Sequence, residues 1–200
     1  IIGNSDLTAK HAYSYLSKRN VSQDDILKYN IGYCDFGKYK NMIIIPSYDK
    51  NGKLNYFTSR SFEKDAYIKY RNPDCSRDII PFELFINWDS PLVLCEGPFD
   101  AIAIKRNAIP LFGKTLPPKL LRRFVEYKVR NVYLILDSDA QKDSMKIVEK
   151  LKSYQVEVNM IVLEDKDPSE LGFEKTINLI KQTKDSLSFS DIMKMKLGTS

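Results

Sequence analysis

Five carboxylates fall at or near the ends of apolar runs in the second half of the chain. Glu96 follows Leu92-Val-Leu-Cys95, and Asp100 comes one helical turn later. Asp137 and Asp139 follow Val132-Tyr-Leu-Ile-Leu136, and Asp167 lies just beyond the run from Val156 to Leu163. In an open parallel α/β sheet ligands collect at the carboxyl ends of the strands, so acids placed there have a functional meaning that acids elsewhere lack. Carboxylates gathered on one rim repel one another unless a hard cation neutralises them. Mg²⁺ is such a cation; it takes oxygen ligands, keeps several waters and is commonly held by one or two carboxylates together with substrate phosphates. Asp-Ser-Asp after a strand also serves as an ordinary turn and helix cap, and Glu-Gly is a common dipeptide. What distinguishes this set is its order: strand-Glu-Gly-x-x-Asp, one βα unit, then strand-Asp-x-Asp-Ala.

From Pro91 onward the chain alternates apolar runs with amphipathic segments, as βα units do. Strands are predicted at 92–95, 108–112, 132–136 and 156–163, and helices at 99–107, 117–127, 140–154 and 173–182. Repeats of this length imply a parallel sheet with helices on its faces. The fold class is therefore α/β, a parallel sheet flanked by helices and preceded by a smaller α+β unit. Residues 7–29 read as helices, with Ser22-Gln-Asp-Asp opening the second of them. A hairpin follows, with strands around 41–48 and 53–60 joined by Asp49-Lys-Asn-Gly52. Residues 63–90 carry Pro73, Pro81 and many charges and read as loops. The domain boundary is expected near residue 90, giving units at 1–90 and 91–182, with a helix or linker at 183–200.

The chain has 200 residues and a net charge of +5. Between Lys38 and Arg77 there are nine Lys/Arg against four Asp/Glu, and between Lys105 and Arg130 eight against one. Such stretches suit a surface that holds a phosphate backbone, although solvated helix faces have the same composition. Cys34, Cys75 and Cys95 are far apart and His11 is the single histidine, which excludes a zinc constellation within these residues. No apolar run approaches the roughly 20 residues a membrane span needs, so no membrane partner is expected. The start at Ile1, without a signal-peptide pattern, reads as a fragment of a longer protein of the bacterial or phage-infected cytoplasm.

Leu92-Val-Leu-Cys-Glu-Gly-Pro-Phe-Asp-Ala-Ile102 and Leu134-Ile-Leu-Asp-Ser-Asp-Ala140 resemble the Toprim domain shared by DnaG-type primases, type IA and II topoisomerases, OLD-type nucleases and RecR proteins. The segment before it selects the DnaG-type primases. His11 to Ser22, Ile31-Gly-Tyr33, Ile44-Ile-Pro46, Asp49-x-x-Gly52, Arg60 and Lys69-Tyr70-x-Asn72-Pro73 resemble that family's N-terminal subdomain. Three departures, Ser169 where a further acid is common, Lys142 for a glycine, and Phe112-Gly-Lys-Thr115, resemble a phage or plasmid branch.

The resemblance implies a DNA primase core that makes short RNA primers on single-stranded DNA from ribonucleoside triphosphates. It implies that Glu96, Asp137, Asp139 and Asp167 hold Mg²⁺ or Mn²⁺. Glu96 is then the candidate general base, and Asp100 fixes its neighbourhood. Arg19, Arg60, Lys69 and Lys53 would meet nucleotide phosphates or template, and Tyr70 would stack on a base. A replicative helicase and a zinc-binding domain outside this chain are the further partners the family implies. A Toprim nuclease or topoisomerase piece, and a non-catalytic Toprim binding module, are the competing readings.

Overall fold

A computed structural model describes residues 7–136, 141–163 and 168–183. The chain divides into two compact units, one up to Leu84 and one from Phe85 onward.

The first unit opens with α1 (Leu7–Lys18) and α2 (Gln23–Lys28). Asn20 takes a left-handed conformation between them (φ 59°) and breaks the helical run. Ser22 then starts α2 as an N-cap. Its hydroxyl accepts from the Asp25 N–H at 3.2 Å, while the Asp25 carboxylate accepts from the Ser22 N–H at 2.9 Å. This reciprocal pair satisfies two N–H groups that the helix itself cannot. Strands β1 (Gly32–Cys34), β2 (Met42–Tyr48) and β3 (Leu54–Ser61) form an antiparallel sheet in that order. The β2–β3 hairpin closes where the sequence predicts. The Asp49 N–H donates to the Lys53 carbonyl at 2.9 Å, and Gly52 supplies the positive φ of 77°. Leu16, Ile26, Ile31, Ile43, Ile45 and Phe82 are fully buried and form this unit's core.

In the second unit β4 (Leu92–Cys95), β5 (Ala108–Pro110), β6 (Asn131–Leu136) and β7 (Glu157–Val162) make a parallel sheet in the order β5-β4-β6-β7. Leu94 pairs with Ile109 on one side and Leu134 on the other, and Leu134 pairs with Met160. All four residues of β4 are buried, as expected for a central strand covered on both faces. The connecting helices are α3 (Pro98–Ile104), α4 (Pro118–Glu126) and α5 (Gln141–Ser153), followed by α6 (Pro168–Leu171) and α7 (Phe173–Gln182). The α/β architecture is the one predicted. Helix α3, however, ends at Ile104, because Lys105 (φ 57°) and Asn107 (φ 47°) both turn left-handed.

Residues 85–90, assigned to the first unit on sequence, belong to the second. Trp88 stacks on Tyr127 with ring centroids 5.0 Å apart and meets Phe124 edge-on at 6.3 Å. Asn107 fastens the same segment. Its amide nitrogen donates to the carbonyls of Asn87, Ser90 and Pro91 at 2.8, 3.1 and 2.9 Å, and its amide oxygen accepts from the Asn87 N–H at 2.8 Å. Of the expected tail, residues 183–200, all but Thr183 lie outside the described residues.

Candidate active site

The strand order locates the site in the second unit. From β4 the chain crosses through α3 to β5 on one side, and from β6 it crosses through α5 to β7 on the other. Connections that diverge in this way open a crevice between the carboxyl ends of the two central strands, which is where ligands bind in open α/β sheets. Those ends are Cys95 of β4 and Leu136 of β6. Glu96 is the first residue past β4 and is partly exposed, whereas the four residues before it are buried.

The Glu96-Gly97-Pro98-Phe99-Asp100 motif is a single turn from strand to helix. Pro98 begins α3, where its missing N–H costs nothing and its fixed φ suits a first helical residue. Asp100 is 8% exposed and accepts from the Gly97 N–H at 3.0 Å through Oδ2. A Cβ at position 97 would lie 3.1 Å from that same Oδ2. A side chain at position 97 would have to push that carboxylate aside by a few tenths of an ångström, and the carboxylate braces the backbone that follows Glu96. In geometric terms Asp100 is a positioning residue, and Glu96 is the more exposed acid of the pair, with one carboxylate oxygen, Oε2, buried. The thiol of Cys95, buried beneath, points to backbone carbonyls of Gly97 and Ile109 at 3.7 and 3.8 Å.

Asp137, Asp139 and Asp167 lie outside the described residues. Among the described residues no group of three or more His, Cys, Asp or Glu side chains is arranged to hold a metal ion. Glu96, the described acid at the end of β4, offers a hard oxygen ligand of the kind that suits Mg²⁺ or Mn²⁺.

In the first unit a pocket of about 450 Å³ is lined by Lys18, Arg19, Arg60, Lys64 and Lys69, with His11 and Glu63 also on its wall. Three of the basic residues singled out on sequence, Arg19, Arg60 and Lys69, meet here. Lys53 stands exposed at the hairpin turn, away from the pocket-lining residues. Lys18 and Lys64 were missed on sequence. Lys18 is the last residue of α1 and adjoins Arg19, the one signal that marks it.

The Lys69-Tyr70-x-Asn72-Pro73 element owes its placement to strand-like bonding against β3. The Ser61 N–H donates to the Lys69 carbonyl at 2.9 Å, the Arg71 N–H to the Ser59 carbonyl at 3.2 Å, and the Ser59 N–H to Asn72 Oδ1 at 3.1 Å. Asn72 is accordingly a clamp. The Arg60 guanidinium lies over the Tyr70 ring, 4.7 Å from its centroid, and also donates to the Tyr70 hydroxyl. Arg60 and Tyr70 thus form one cation–aromatic unit with Tyr70 half exposed. Arg19 sits 5.4 Å from the Tyr15 ring centroid in the same manner. Several cations around one concavity with a single carboxylate create a positive potential that attracts phosphate.

Residues 93–172 match the Toprim-like family model. The chain is 30% identical to the Mycoplasma pneumoniae protein designated an MG010 homolog, over 87% of each chain. It is 26% identical to the DNA primase of Thermotoga maritima over 90% of this chain and 37% of that one, so it spans little more than a third of that relative's length. Among solved structures, a DnaG primase catalytic domain bound to single-stranded DNA superposes with a TM-score of 0.78, covering 96% of this chain and 79% of that one at 18% identity. The Aquifex aeolicus primase, solved with its zinc-binding and RNA polymerase domains, gives a TM-score of 0.76 at 20% identity, covering 92% of this chain and 57% of that one. These likenesses show the fold. At 30% identity over 87% of both chains, the protein belongs to the same family as the Mycoplasma MG010 homolog, and it combines a Toprim-like domain with the fold of DnaG primase catalytic cores.

Proposed function

We propose that the chain is the catalytic core of a DNA primase, a nucleotidyltransferase that joins ribonucleotides into short primers on a single-stranded DNA template. The observation that carries this reading is the Glu96 corner. It sets Glu96, a partly exposed acid next to the Gly97 backbone that Asp100 braces, at the switch point of a Toprim-like sheet. Primer extension needs a 3′-hydroxyl to attack the α-phosphorus of an incoming triphosphate in line with departing pyrophosphate. Glu96 would accept the hydroxyl proton or orient a water. Together with Asp137, Asp139 and Asp167 it would hold Mg²⁺ or Mn²⁺, which supplies positive charge against the triphosphate. The pocket of Arg19, Arg60 and Lys69, with Lys18 and Lys64, would receive template or nucleotide phosphates, and Tyr70, backed by Arg60, would offer a stacking face.

The matched structures support the template assignment, since one of them holds single-stranded DNA. A zinc-binding domain and a replicative helicase are the partners this role calls for, in the bacterial cytoplasm. No helix among the described residues is long and apolar enough to cross a membrane. The test is incubation with single-stranded DNA, labelled ribonucleoside triphosphates and Mg²⁺ or Mn²⁺. Short template-dependent RNA is the expected product, whereas nicked DNA without synthesis would point to a Toprim nuclease and sink the reading.

A further inference from the structure

Tyr67 is 100% exposed, on the segment that runs between two residues of the basic pocket wall, Lys64 and Lys69. A lone exposed ring is ordinary on a protein surface. This one differs in how it is carried. The Phe62 N–H donates to the Asn41 carbonyl at 3.2 Å, and Asn41 Nδ2 donates to Glu63 Oε1 at 2.7 Å. At the other end the Ser61 N–H holds the Lys69 carbonyl at 2.9 Å. The segment is thus pinned to the sheet at both ends, and its ring is presented rather than folded back. Ile68 beside it is 41% exposed and Tyr70 is 50% exposed, so exposed aromatic and apolar surface lies between Lys64 and Lys69, with one carboxylate, Asp65, in the same stretch.

The geometry points to Tyr67 as a base-stacking residue for single-stranded nucleic acid, with the backbone of the same strand carried on Lys64, Lys69 and the rest of the basic pocket. The assignment rests on the proposed role of that pocket and deepens it by naming what the exposed ring receives. The charge pattern selects the occupant. A protein surface could cover a tyrosine, but a strand of nucleic acid offers a π-face and a phosphate at every repeat, matched to an exposed ring on a segment whose ends, Lys64 and Lys69, line a basic pocket. Pinning the loop before the strand arrives lowers the ordering cost of binding. Because every base has a π-face, the contact is tolerant of sequence, as a template reader must be.

The test compares a short oligodeoxyadenylate with an abasic deoxyribose-phosphate strand of equal length, binding to wild type, Tyr67→Ala and Tyr67→Phe. The exposed ring makes no packing contact to lose, so Tyr67→Ala folds, and equal melting temperatures verify it. The expected result is that Tyr67→Ala binds the oligodeoxyadenylate roughly 5- to 100-fold more weakly than wild type. Tyr67→Phe binds it as wild type does, and all three proteins bind the abasic strand alike. Equal affinity of wild type and Tyr67→Ala for the base-bearing strand overturns the assignment, as does equal weakening on both strands. If Tyr67→Ala leaves DNA binding intact and alters the molecular mass measured by light scattering, a second copy covers the ring instead. If wild type binds neither strand, the proposed role of the pocket fails first and takes this assignment with it.

Discussion

Replacing Asp100 separates two jobs that one carboxylate could be doing. In Asp100→Ala the Gly97 N–H loses its 3.0 Å partner at a residue that is 8% exposed. A hydrogen bond to a charged acceptor contributes about 1.5–3 kcal/mol, and a partly exposed donor recovers some of this from water, so the expected loss is about 2 kcal/mol. For a chain of 200 residues that lowers the melting temperature by about 4–8 °C. Asp100→Asn keeps an oxygen at the same place but without the charge. Neutral hydrogen bonds are roughly half as strong, so the loss is about 1 kcal/mol and the shift about half as large. Thermal melts of the three proteins, followed by a primer-synthesis assay, decide the matter. The expected order of stability is wild type, Asn, Ala, with synthesis falling in the same order. A melting temperature for Asp100→Ala within about 1 °C of wild type would refute the corner argument, as would an Asn variant no more stable than the Ala variant. An Asn variant that is stable but inactive would show that the charge of Asp100 acts on the reacting groups directly.

Glu96→Gln is expected to remove synthesis while melting and template binding stay near wild type, since it neutralises a partly exposed side chain and changes no packing; near-normal product would end its catalytic assignment. Arg60→Ala and Lys69→Ala should each weaken DNA binding and reduce the slope of log affinity against log salt by about one. An unchanged slope would make both ordinary surface charges. Chelation of divalent cations should stop synthesis with only a modest drop in melting temperature, because the cation adds stability by mass action. Cooperative unfolding on adding chelator would instead indicate a structural metal. Asn107→Ala should cost several degrees of melting temperature, as it strips the partners of three carbonyls and an N–H at once; a melt identical to wild type would show that water replaces them.

The βα alternation was readable because its signal is local. Leu92–Cys95 and residues 132–136 are unbroken apolar runs and residues 158–162 are broken only by Asn159, much as buried parallel strands require, and the helices between them have an apolar face. The second helix start was readable for the same reason, since Ser22 and Asp25 are both ends of its cap. Strand β1 was not read, because Gly32-Tyr-Cys34 is too short to show a period and exists through its pairing with Met42–Ile44. The early end of α3 was missed because nothing in Lys105-Arg-Asn107 forbids another turn; the left-handed residues there answer to contacts with residues 87–91. The acids at the strand ends could be picked out by type and order. That Asp100 turns back to the Gly97 N–H is a matter of local geometry, which spacing alone cannot express.

The way Asn107 holds residues 87–91 bears on where this chain can be cut or interrupted. Junctions between domains are ordinarily where insertions and fragment ends are best tolerated, because few contacts cross them. Here the stretch just before β4 has its carbonyls and an N–H engaged by one side chain from the far end of the first βα unit, and Trp88 is packed on α4. A gene fragment beginning at Pro91, the boundary that hydropathy suggests, would leave Asn107 only its Pro91 partner of these four bonds and expose the faces of Phe124 and Tyr127. A fragment that starts ahead of Phe85 carries its own fastening. The segment is thus the first part of the Toprim-like module itself, and any recombination that moves the module intact has to move residues 85–90 with it.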